Sequence, residues 1–327
     1  MTQSIQLQHA GRMLEARSSL KKILKKIPAH VEALHFVGLT YIQTQEYEKG
    51  IASIQRAVAI KPNYMDAQYH LANALYETKR YEEARVAYQK VLSLNPDHWN
   101  AYAALAHVLH LLGHYEDAVN AYQAIVSSKP DFAEAYIGFG AVLAAKLDFH
   151  GAILAYSIAI ALNPQLPDAH NNLGFALYGL KRFQESIEAF RASIALSPAY
   201  LDSYVGLARA LNALKKSDEA IDTYKKAFSL RANVESAYEV ANLLDDLARY
   251  KEAIPFYEYV CSINPFFIDG YISLGIVLSH ESRFDEAAIA FEKVLSLDPD
   301  NCDALYNLGN VFGELNNHEK SLSFYQK

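Results

Sequence analysis

The chain has 327 residues and a net charge of −7, with hydrophobic residues at 51% of positions and charged residues at 20%, the balance of a folded protein without long disordered tracts. The acidic balance argues against a nucleic-acid partner, because affinity for duplexes depends on lysine and arginine neutralising phosphates. The longest apolar stretch, 152–162, is interrupted and much shorter than a membrane span. Two cysteines are too few for a disulfide framework, which fits a reducing compartment. Together with the short apolar stretch, this leads us to expect a cytoplasmic protein with no membrane partner.

Proline marks an internal period along the chain. Six prolines are each 34 residues apart, and two more resume the spacing after one slip: Pro28, Pro62, Pro96, Pro130, Pro164 and Pro198, then Pro265 and Pro299. At the slip, Ala232 stands where a proline is expected and the next interval is 33 residues, so that unit is one residue short. A fixed period of this length predicts a repeat architecture, and we expect looser packing at the short unit.

Small and large residues alternate at helical spacing within each unit. A large apolar residue, a glycine or alanine, and a second large apolar residue follow each proline at fixed distances, as in Leu71, Ala72 and Leu75. A second small position is followed four residues later by a ring in most units, as in Ala84 and Tyr88. Each unit is therefore predicted to be a helix, a turn, a second helix and a proline-marked turn.

These residues resemble the tetratricopeptide-repeat (TPR) family, which has small residues at two helix crossings, an aromatic residue in the second helix and proline at the exit. The chain is similar to the TPR superhelix of O-linked N-acetylglucosamine transferases and of bacterial multidomain TPR proteins. The resemblance implies an all-α fold, a right-handed α-solenoid (superhelix) of helix-turn-helix repeats. We expect a single solenoid over residues 1–327, with full repeats at 31–64, 65–98, 99–132, 133–166, 167–200, 201–233, 234–267 and 268–301, and partial repeats at 1–30 and 302–327.

The resemblance implies that the first helix of each pair faces a concave groove. Its second residue is acidic in most repeats, which the positive end of a helix dipole favours. Asparagine carries both a donor and an acceptor for the backbone of an extended peptide, and tyrosine adds amphipathic contact area. The candidate partner-binding residues in the groove are Tyr69, Asn73, Tyr76, His107, His110, Asp168, Asn171, Asn172, Tyr178, Asp202, Arg209, Tyr238, Asn242, Tyr306, Asn307 and Asn310.

The sequence favours a non-enzymatic protein–protein interaction scaffold. No nucleophile, base and orienting group occur at a plausible spacing, so we expect no catalytic residue and no cofactor. His107, His110 and His114 have a spacing that metal ligands use, but His114 follows Gly113 in an expected turn, and we expect no metal site. The inward lysines and arginines that grip chaperone C-termini are missing, so the expected partner is a protein or extended peptide of basic or neutral character.

An alternative interpretation stays open. The final unit ends at Lys327 before its second helix reaches the usual length, and a solenoid end without a polar cap exposes apolar surface. This predicts either self-association through the C-terminal end or a longer protein. In the second case the chain is the N-terminal substrate-recruiting region of a glycosyltransferase-like enzyme, similar to O-linked N-acetylglucosamine transferases, whose catalytic domain lies outside it.

Overall fold

The computed structural model describes residues 12–327, and every regular element in that range is an α-helix. The predicted all-α repeat fold is confirmed. The first eleven residues of the expected partial repeat 1–30 lie outside the described residues. The chain forms two compact units, Met1–Pro164 and Gln165–Lys327, which we call unit 1 and unit 2.

The described part of unit 1 contains one single helix followed by four helix pairs. The helices are α1 (Met13–Lys26), α2 (Val31–Gln43), α3 (Tyr47–Ile60), α4 (Met65–Glu77), α5 (Tyr81–Leu94), α6 (Trp99–Leu111), α7 (Tyr115–Ser128), α8 (Ala133–Ala145) and α9 (Phe149–Leu162). Even-numbered helices are the first helices of their pairs. No helix within residues 12–327 combines the length and the apolar character needed to cross a bilayer.

Unit 2 contains five helix pairs, again with the first helix of each pair even-numbered. They are α10 (Pro167–Gly179), α11 (Phe183–Leu196), α12 (Leu201–Ala213), α13 (Ser217–Leu230), α14 (Val234–Asp246), α15 (Tyr250–Ile263), α16 (Ile268–His280), α17 (Phe284–Leu297), α18 (Cys302–Glu314) and α19 (His318–Tyr325).

The core of each unit is built from rings that project from the second helices. Phe190 of α11 is fully buried, and glycines of two consecutive first helices, Gly174 and Gly206, lie against its ring. A methyl group at either glycine would come within 2.7 or 2.3 Å of ring carbons, so only glycine lets these helices approach the ring. Burying a side chain of this size stabilises the fold by roughly 1.5–3 kcal/mol.

The same tight turn joins the two helices of a pair. After α8, the amide of Asp148 donates to the carbonyl of Leu143 at 2.9 Å, and Leu147 between them has a φ of 63°. This is the six-to-one hydrogen bond of a Schellman motif, in which a left-handed residue ends the helix. Glycine adopts that conformation most readily, yet among these turns only one has a glycine there, Gly113. The other turns have a residue with a side chain at this position: Gln45, Lys79, Leu147, Lys181, Lys215, Ala248, Ser282 and Asn316.

One loop between repeats is shorter than the others in unit 2. Residues 231–233 connect α13 to α14, whereas four residues form each of the other between-repeat loops of the unit. The last residue, Asn233, has an extended backbone with a φ of −145°, and its side-chain oxygen accepts from the amide of Ser236 at 2.8 Å. The expected slip of the sequence is thus absorbed by this loop, with an asparagine cap at the start of α14.

Candidate partner-binding faces

Ring side chains of unit 1 contact one another from one first helix to the next. The ring centroid of Tyr76 in α4 lies 5.7 Å from that of His107 in α6, and His107 lies 6.1 Å from His110. Tyr81 and Tyr115 extend this series at 5.9 Å from Tyr76 and 5.7 Å from His110. We call these five residues the ring strip. Burial lowers the pKa of both histidines, so the strip carries no histidine charge at neutral pH.

The three histidines with metal-ligand spacing do not converge. His107 and His110 belong to the ring strip, whereas His114 lies beyond the turn, with its Nδ1 3.9 Å from a carboxylate oxygen of Asp117. Within residues 12–327, no group of three or more histidine, cysteine, aspartate or glutamate side chains could hold a metal ion together.

Three of the predicted asparagines accept the same kind of hydrogen bond from a tyrosine. In each case the hydroxyl of a tyrosine in the second helix donates to the amide oxygen, at 2.7, 2.8 and 2.6 Å, in the pairs Asn73 with Tyr88, Asn242 with Tyr257 and Asn310 with Tyr325. Burial raises the pKa of Tyr88 and Tyr257, which keeps their hydroxyls protonated as donors. The tyrosine holds the amide oxygen, so each asparagine has its NH2 group left as the donor for a partner.

Polar residues at the start of α10 are divided between surface and core. The exposed carboxylate of Asp168 accepts from the hydroxyl of Tyr200 at 2.5 Å. Asn171 is only 4% exposed, and its side-chain oxygen accepts from the hydroxyl of Ser203 at 2.9 Å. Its NH2 group donates to the side-chain oxygen of Asn172 at 3.2 Å. Contrary to the sequence-based expectation, Asn171 therefore packs α10 on α12 and does not face a partner, because its polar atoms are already paired in the core.

Arg209 of α12 reaches the next first helix. Its guanidinium lies 2.8 Å from a carboxylate oxygen of Glu235 and 3.5 Å from one of Glu239, both in α14. The predicted basic residue is therefore compensated by two acids of the same chain. It links consecutive first helices and leaves no excess positive charge between them.

Two predicted tyrosines are covered by rings from the loops between repeats. The ring of Tyr69 lies 4.7 Å from that of His98, and the ring of Tyr238 lies 5.0 Å from that of Phe267. Each of these tyrosines is the fifth residue of a first helix, and each covering ring is the last residue of the loop that follows the helix pair. Both tyrosines are half-buried and present only part of the ring to a partner.

The other predicted residues of unit 2 lie at or near the surface. Tyr178 is half-buried, with its ring 5.3 Å from that of Phe183. Tyr306 is 62% exposed, the most open tyrosine among the predicted residues. Asn307 donates from its NH2 group to the carbonyl of Asp303 at 2.8 Å, one turn earlier in α18.

A buried histidine that sequence reasoning did not single out lies at the start of unit 1. The side chain of His35 in α2 is 2% exposed, with Nδ1 3.0 Å from the hydroxyl of Tyr64 and Nε2 3.0 Å from Nδ1 of His70. Burial first, and repulsion from His70 second, lower the pKa of His35 to about 4. The three side chains form a neutral hydrogen-bonded group that joins α2 to α4.

A cavity of about 450 Å³ opens among α10, α12 and the short loop of unit 2. Two of the predicted residues, Asp202 and Arg209, line it. Sequence reasoning missed the rest of its wall, although the one-residue slip of the proline period marked its place. The lining consists of Phe175, Leu201, Asp202, Val205, Arg209, Arg231, Ala232, Asn233 and Glu235.

Acidic residues dominate the first helices of both units. Arg209 is the only lysine or arginine in the first helices α2 to α18. The same nine helices carry thirteen carboxylates: Glu32, Asp66, Glu77 and Glu134 in unit 1, and Asp168, Asp202, Glu235, Glu239, Asp245, Asp246, Asp269, Asp303 and Glu314 in unit 2. In unit 2 the pKa of Asp245 is raised by burial and by the charge of Asp246 beside it.

Comparison with known families agrees with this architecture. Family models described as tetratricopeptide repeat match residues 38–98, 75–141, 165–233, 234–267, 268–301 and 290–323, and one described as TPR repeat matches residues 148–181. The chain belongs to the tetratricopeptide-repeat family. A TPR protein of this kind is built as a protein-interaction scaffold.

Two solved structures match about half of this chain. One is the crystal structure of YrrB, described as a TPR protein with an unusual peptide-binding site, which is 24% identical over 53% of this chain and 89% of its own, with a TM-score of 0.49. Another is the crystal structure of MamA protein, 25% identical over 51% of this chain and 91% of its own, with a TM-score of 0.44. A search of curated proteins gave no significant match.

Proposed function

We propose that this TPR protein is a non-enzymatic scaffold that binds an extended, basic segment of a partner protein along its first helices. The proposal rests on the charge of these helices, which contain thirteen carboxylates and one arginine. That arginine is itself paired with Glu235 and Glu239. Complementary charge speeds encounter with a basic partner and suppresses binding of acidic ones.

Helix dipoles account for only part of this acidity. A carboxylate at the second residue of a helix is favoured by the positive helix end, so Asp168 and Asp202 have a local reason to be acidic. Glu77, Asp246 and Glu314 lie at the C-terminal ends of first helices, where the dipole disfavours a negative charge. Acids at both ends of these helices are better explained by a basic partner than by helix stability.

The ring strip suits the side chains of such a partner. Tyrosine faces attract the guanidinium of arginine or the ammonium of lysine with about 0.5–2 kcal/mol. His107 and His110 remain neutral at physiological pH, so they do not repel these cations. A basic side chain that lies along Tyr76 would also approach the carboxylate of Glu77, the next residue in α4.

The fixed asparagines suit the main chain of an extended segment. Asn73, Asn242 and Asn310 have their amide oxygens held by tyrosines of the second helices, and each retains an NH2 donor. Carbonyl groups of an extended peptide have no intramolecular donors, so they are matching acceptors for amide NH2 groups. Asparagine would therefore hold the main chain, and the acids and rings would select the side chains.

Charge reversal on one face tests the proposal. A fluorescently labelled 12-residue peptide of lysine and serine serves as the probe, and its glutamate and serine counterpart tests the sign of the charge. In the double variant Asp168→Lys and Asp202→Lys, we expect affinity for the basic probe, measured by fluorescence anisotropy, to fall by roughly tenfold, about 1.4 kcal/mol. The free energy of unfolding of the same variant, measured in urea, should change less than its free energy of binding does.

The matched control reverses the same charges on the second helices of the same repeats. Glu188 in α11 and Asp222 in α13 are exposed and lie at equivalent positions. The double variant Glu188→Lys and Asp222→Lys should bind the basic probe within about twofold of the unchanged protein, because screening weakens charges that are remote from the face. Equal losses in the two double variants, or equal binding of the acidic peptide, would overturn the proposal.

A further inference from the structure

In three repeats, a ring from the loop that ends the repeat lies against the fifth residue of that repeat's first helix. The ring centroids are 5.0, 4.7 and 5.0 Å apart in the pairs Tyr64 with His35, His98 with Tyr69, and Phe267 with Tyr238. The loop ring packs on the fifth residue and covers part of it. The ring and the residue that it contacts belong to the same repeat.

The short repeat lacks that cover. Its fifth residue is Val205, and the three-residue loop ends in Asn233, whose side chain caps α14 and contributes no ring. The repeat 268–301 also ends in asparagine, Asn301, but it keeps a four-residue loop and has the larger Ile272 as its fifth residue. The cavity of about 450 Å³ lies where the cover of Val205 is missing.

The cavity has an apolar wall that another ring could use. Phe175 of α10 is 36% exposed, and its ring meets that of the buried Phe190 edge to face, with centroids 4.9 Å apart. Leu201, Val205 and Ala232 are the other apolar residues that line the cavity. An exposed ring that is backed by a rigid core ring offers a large apolar contact at little cost in conformational entropy.

The charges of the cavity are placed around this apolar wall. Arg209 is engaged by Glu235, so this pair presents little net charge to a ligand. Asp202 and Arg231 also line the cavity, and neither takes part in an ion pair within residues 12–327. The charges of Asp202 and Arg231 are opposite, so the cavity carries no net charge and its apolar wall is what distinguishes one ligand from another.

We propose that this cavity binds an aromatic side chain of the partner, seated between Phe175 and Val205 where three other repeats place a ring of their own. The inference rests on the proposed function, since the ring belongs to the same basic segment. It adds a specificity pocket to that function: the partner carries an aromatic residue next to a lysine or arginine. The cavity has the size of a typical small-ligand site, which accommodates one such side chain.

The direct test uses the full chain with ¹³C-labelled valine and leucine methyl groups. The probes are N-acetyl-phenylalanine amide and N-acetyl-alanine amide, titrated separately while the methyl spectrum is recorded. We expect the Val205 and Leu201 signals to shift with the phenylalanine probe alone, because a ring current acts on nearby methyl groups. An unchanged Val205 signal, or equal shifts from the alanine probe, would overturn the inference.

Peptides and variants separate the cavity from the charged faces. The lysine and serine peptide is prepared with one central phenylalanine or with alanine in its place, and we expect the phenylalanine form to bind about tenfold more tightly. The variants Phe175→Ala, which removes the wall, and Asn233→Phe, which supplies a ring from the chain, should abolish this preference. The control Ile289→Ala alters an apolar side chain that is 66% exposed on α17 and should retain it.

The outcomes distinguish the two proposals. If both peptides bind equally well, the cavity is not a ring pocket, and the scaffold proposal survives. If neither peptide binds but the phenylalanine probe shifts Val205, the pocket survives and the basic-partner proposal fails. The methyl experiment on the unchanged protein decides the matter even if Asn233→Phe does not fold.

Discussion

Gly206 lies so close to the ring of Phe190 that a methyl group added to it would meet a ring carbon at 2.3 Å. Phe190 is fully buried, so its ring cannot turn away without opening the core. Gly313, by contrast, would bring its new methyl group to an ordinary 3.7 Å from the hydroxyl oxygen of Ser321. The two glycines are both helical, and the space around them differs.

Alanine should therefore have opposite effects at these two positions. We expect Gly206→Ala to lower the free energy of unfolding by about 1–3 kcal/mol, because overpacking outweighs the better helix propensity of alanine. Gly313→Ala should raise it by up to about 1 kcal/mol, since only the propensity changes. Urea denaturation followed by circular dichroism measures both, and a stabilising Gly206→Ala would contradict the close contact.

The sequence predicts which residues are small, but not how each polar side chain is used. The repeat period places Gly174 at a helix crossing, because this position is glycine or alanine in every repeat. The position of Gly206 is not small in most repeats, so its contact with Phe190 was not predicted. Asn171 occupies a position expected in the groove and is nevertheless buried, because Ser203, 32 residues later, supplies a partner for its oxygen. Such a pairing depends on two side chains from neighbouring repeats, and a pattern read one position at a time does not reveal it.

The connection between α2 and α4 depends on a histidine that must stay neutral. His35 contacts Tyr64 and His70, and the charge of Asp66 only partly offsets the lowering of its pKa to about 4. In the unfolded chain this imidazole takes up a proton near the ordinary histidine pKa of 6.5, well before it does so in the folded chain. The stabilisation is therefore complete above about pH 6.5 and is lost as the pH falls towards 4.

We expect the free energy of unfolding of unit 1 to fall by about 2 kcal/mol between pH 7.5 and pH 5 through His35. Urea titrations at the two pH values, followed by the fluorescence of Trp99 in unit 1, measure the change. The variant His35→Asn serves as the control and should show a weaker pH dependence, whatever its stability at neutral pH. The same dependence in both proteins would show that His35 does not titrate as described.

The cavity beside the short loop between repeats was predicted from the sequence only in part. The slip at Ala232 predicted looser packing, and the cavity lies there. Its wall was not predictable, because Phe175 comes from the preceding repeat and the missing ring is defined only by comparison with Tyr64, His98 and Phe267 in the folded protein. An absent contact leaves no pattern in a single sequence.

The charge of the first helices is a property of the complete chain. It follows from the sequence once the repeat boundaries are known, since the position of a charged residue in the repeat assigns it to a first or a second helix. The net charge of −7 understates it, because lysines and arginines are concentrated outside the first helices. A partner would therefore meet a stronger negative potential along the first helices than the overall composition implies.

Affinity for the basic probe peptide should consequently depend on ionic strength. Between 0.05 and 0.5 M sodium chloride we expect a loss of roughly tenfold or more in fluorescence anisotropy titrations, because the Debye length shortens from above about 10 Å to a few ångström. Binding of the phenylalanine-containing peptide should retain its preference over the alanine form at high salt. Salt-independent binding would indicate that the carboxylates do not take part.

The three tyrosine and asparagine pairs have a consequence for redesign. Tyr88 and Tyr257 are buried rings, Tyr325 is partly exposed, and each asparagine belongs to a first helix. A substitution that preserves the packing of the ring but deletes its oxygen would free the amide to rotate. The packing of the tyrosine and the orientation of the asparagine amide are thus linked. A new ligand preference at the asparagine cannot be designed without considering the tyrosine.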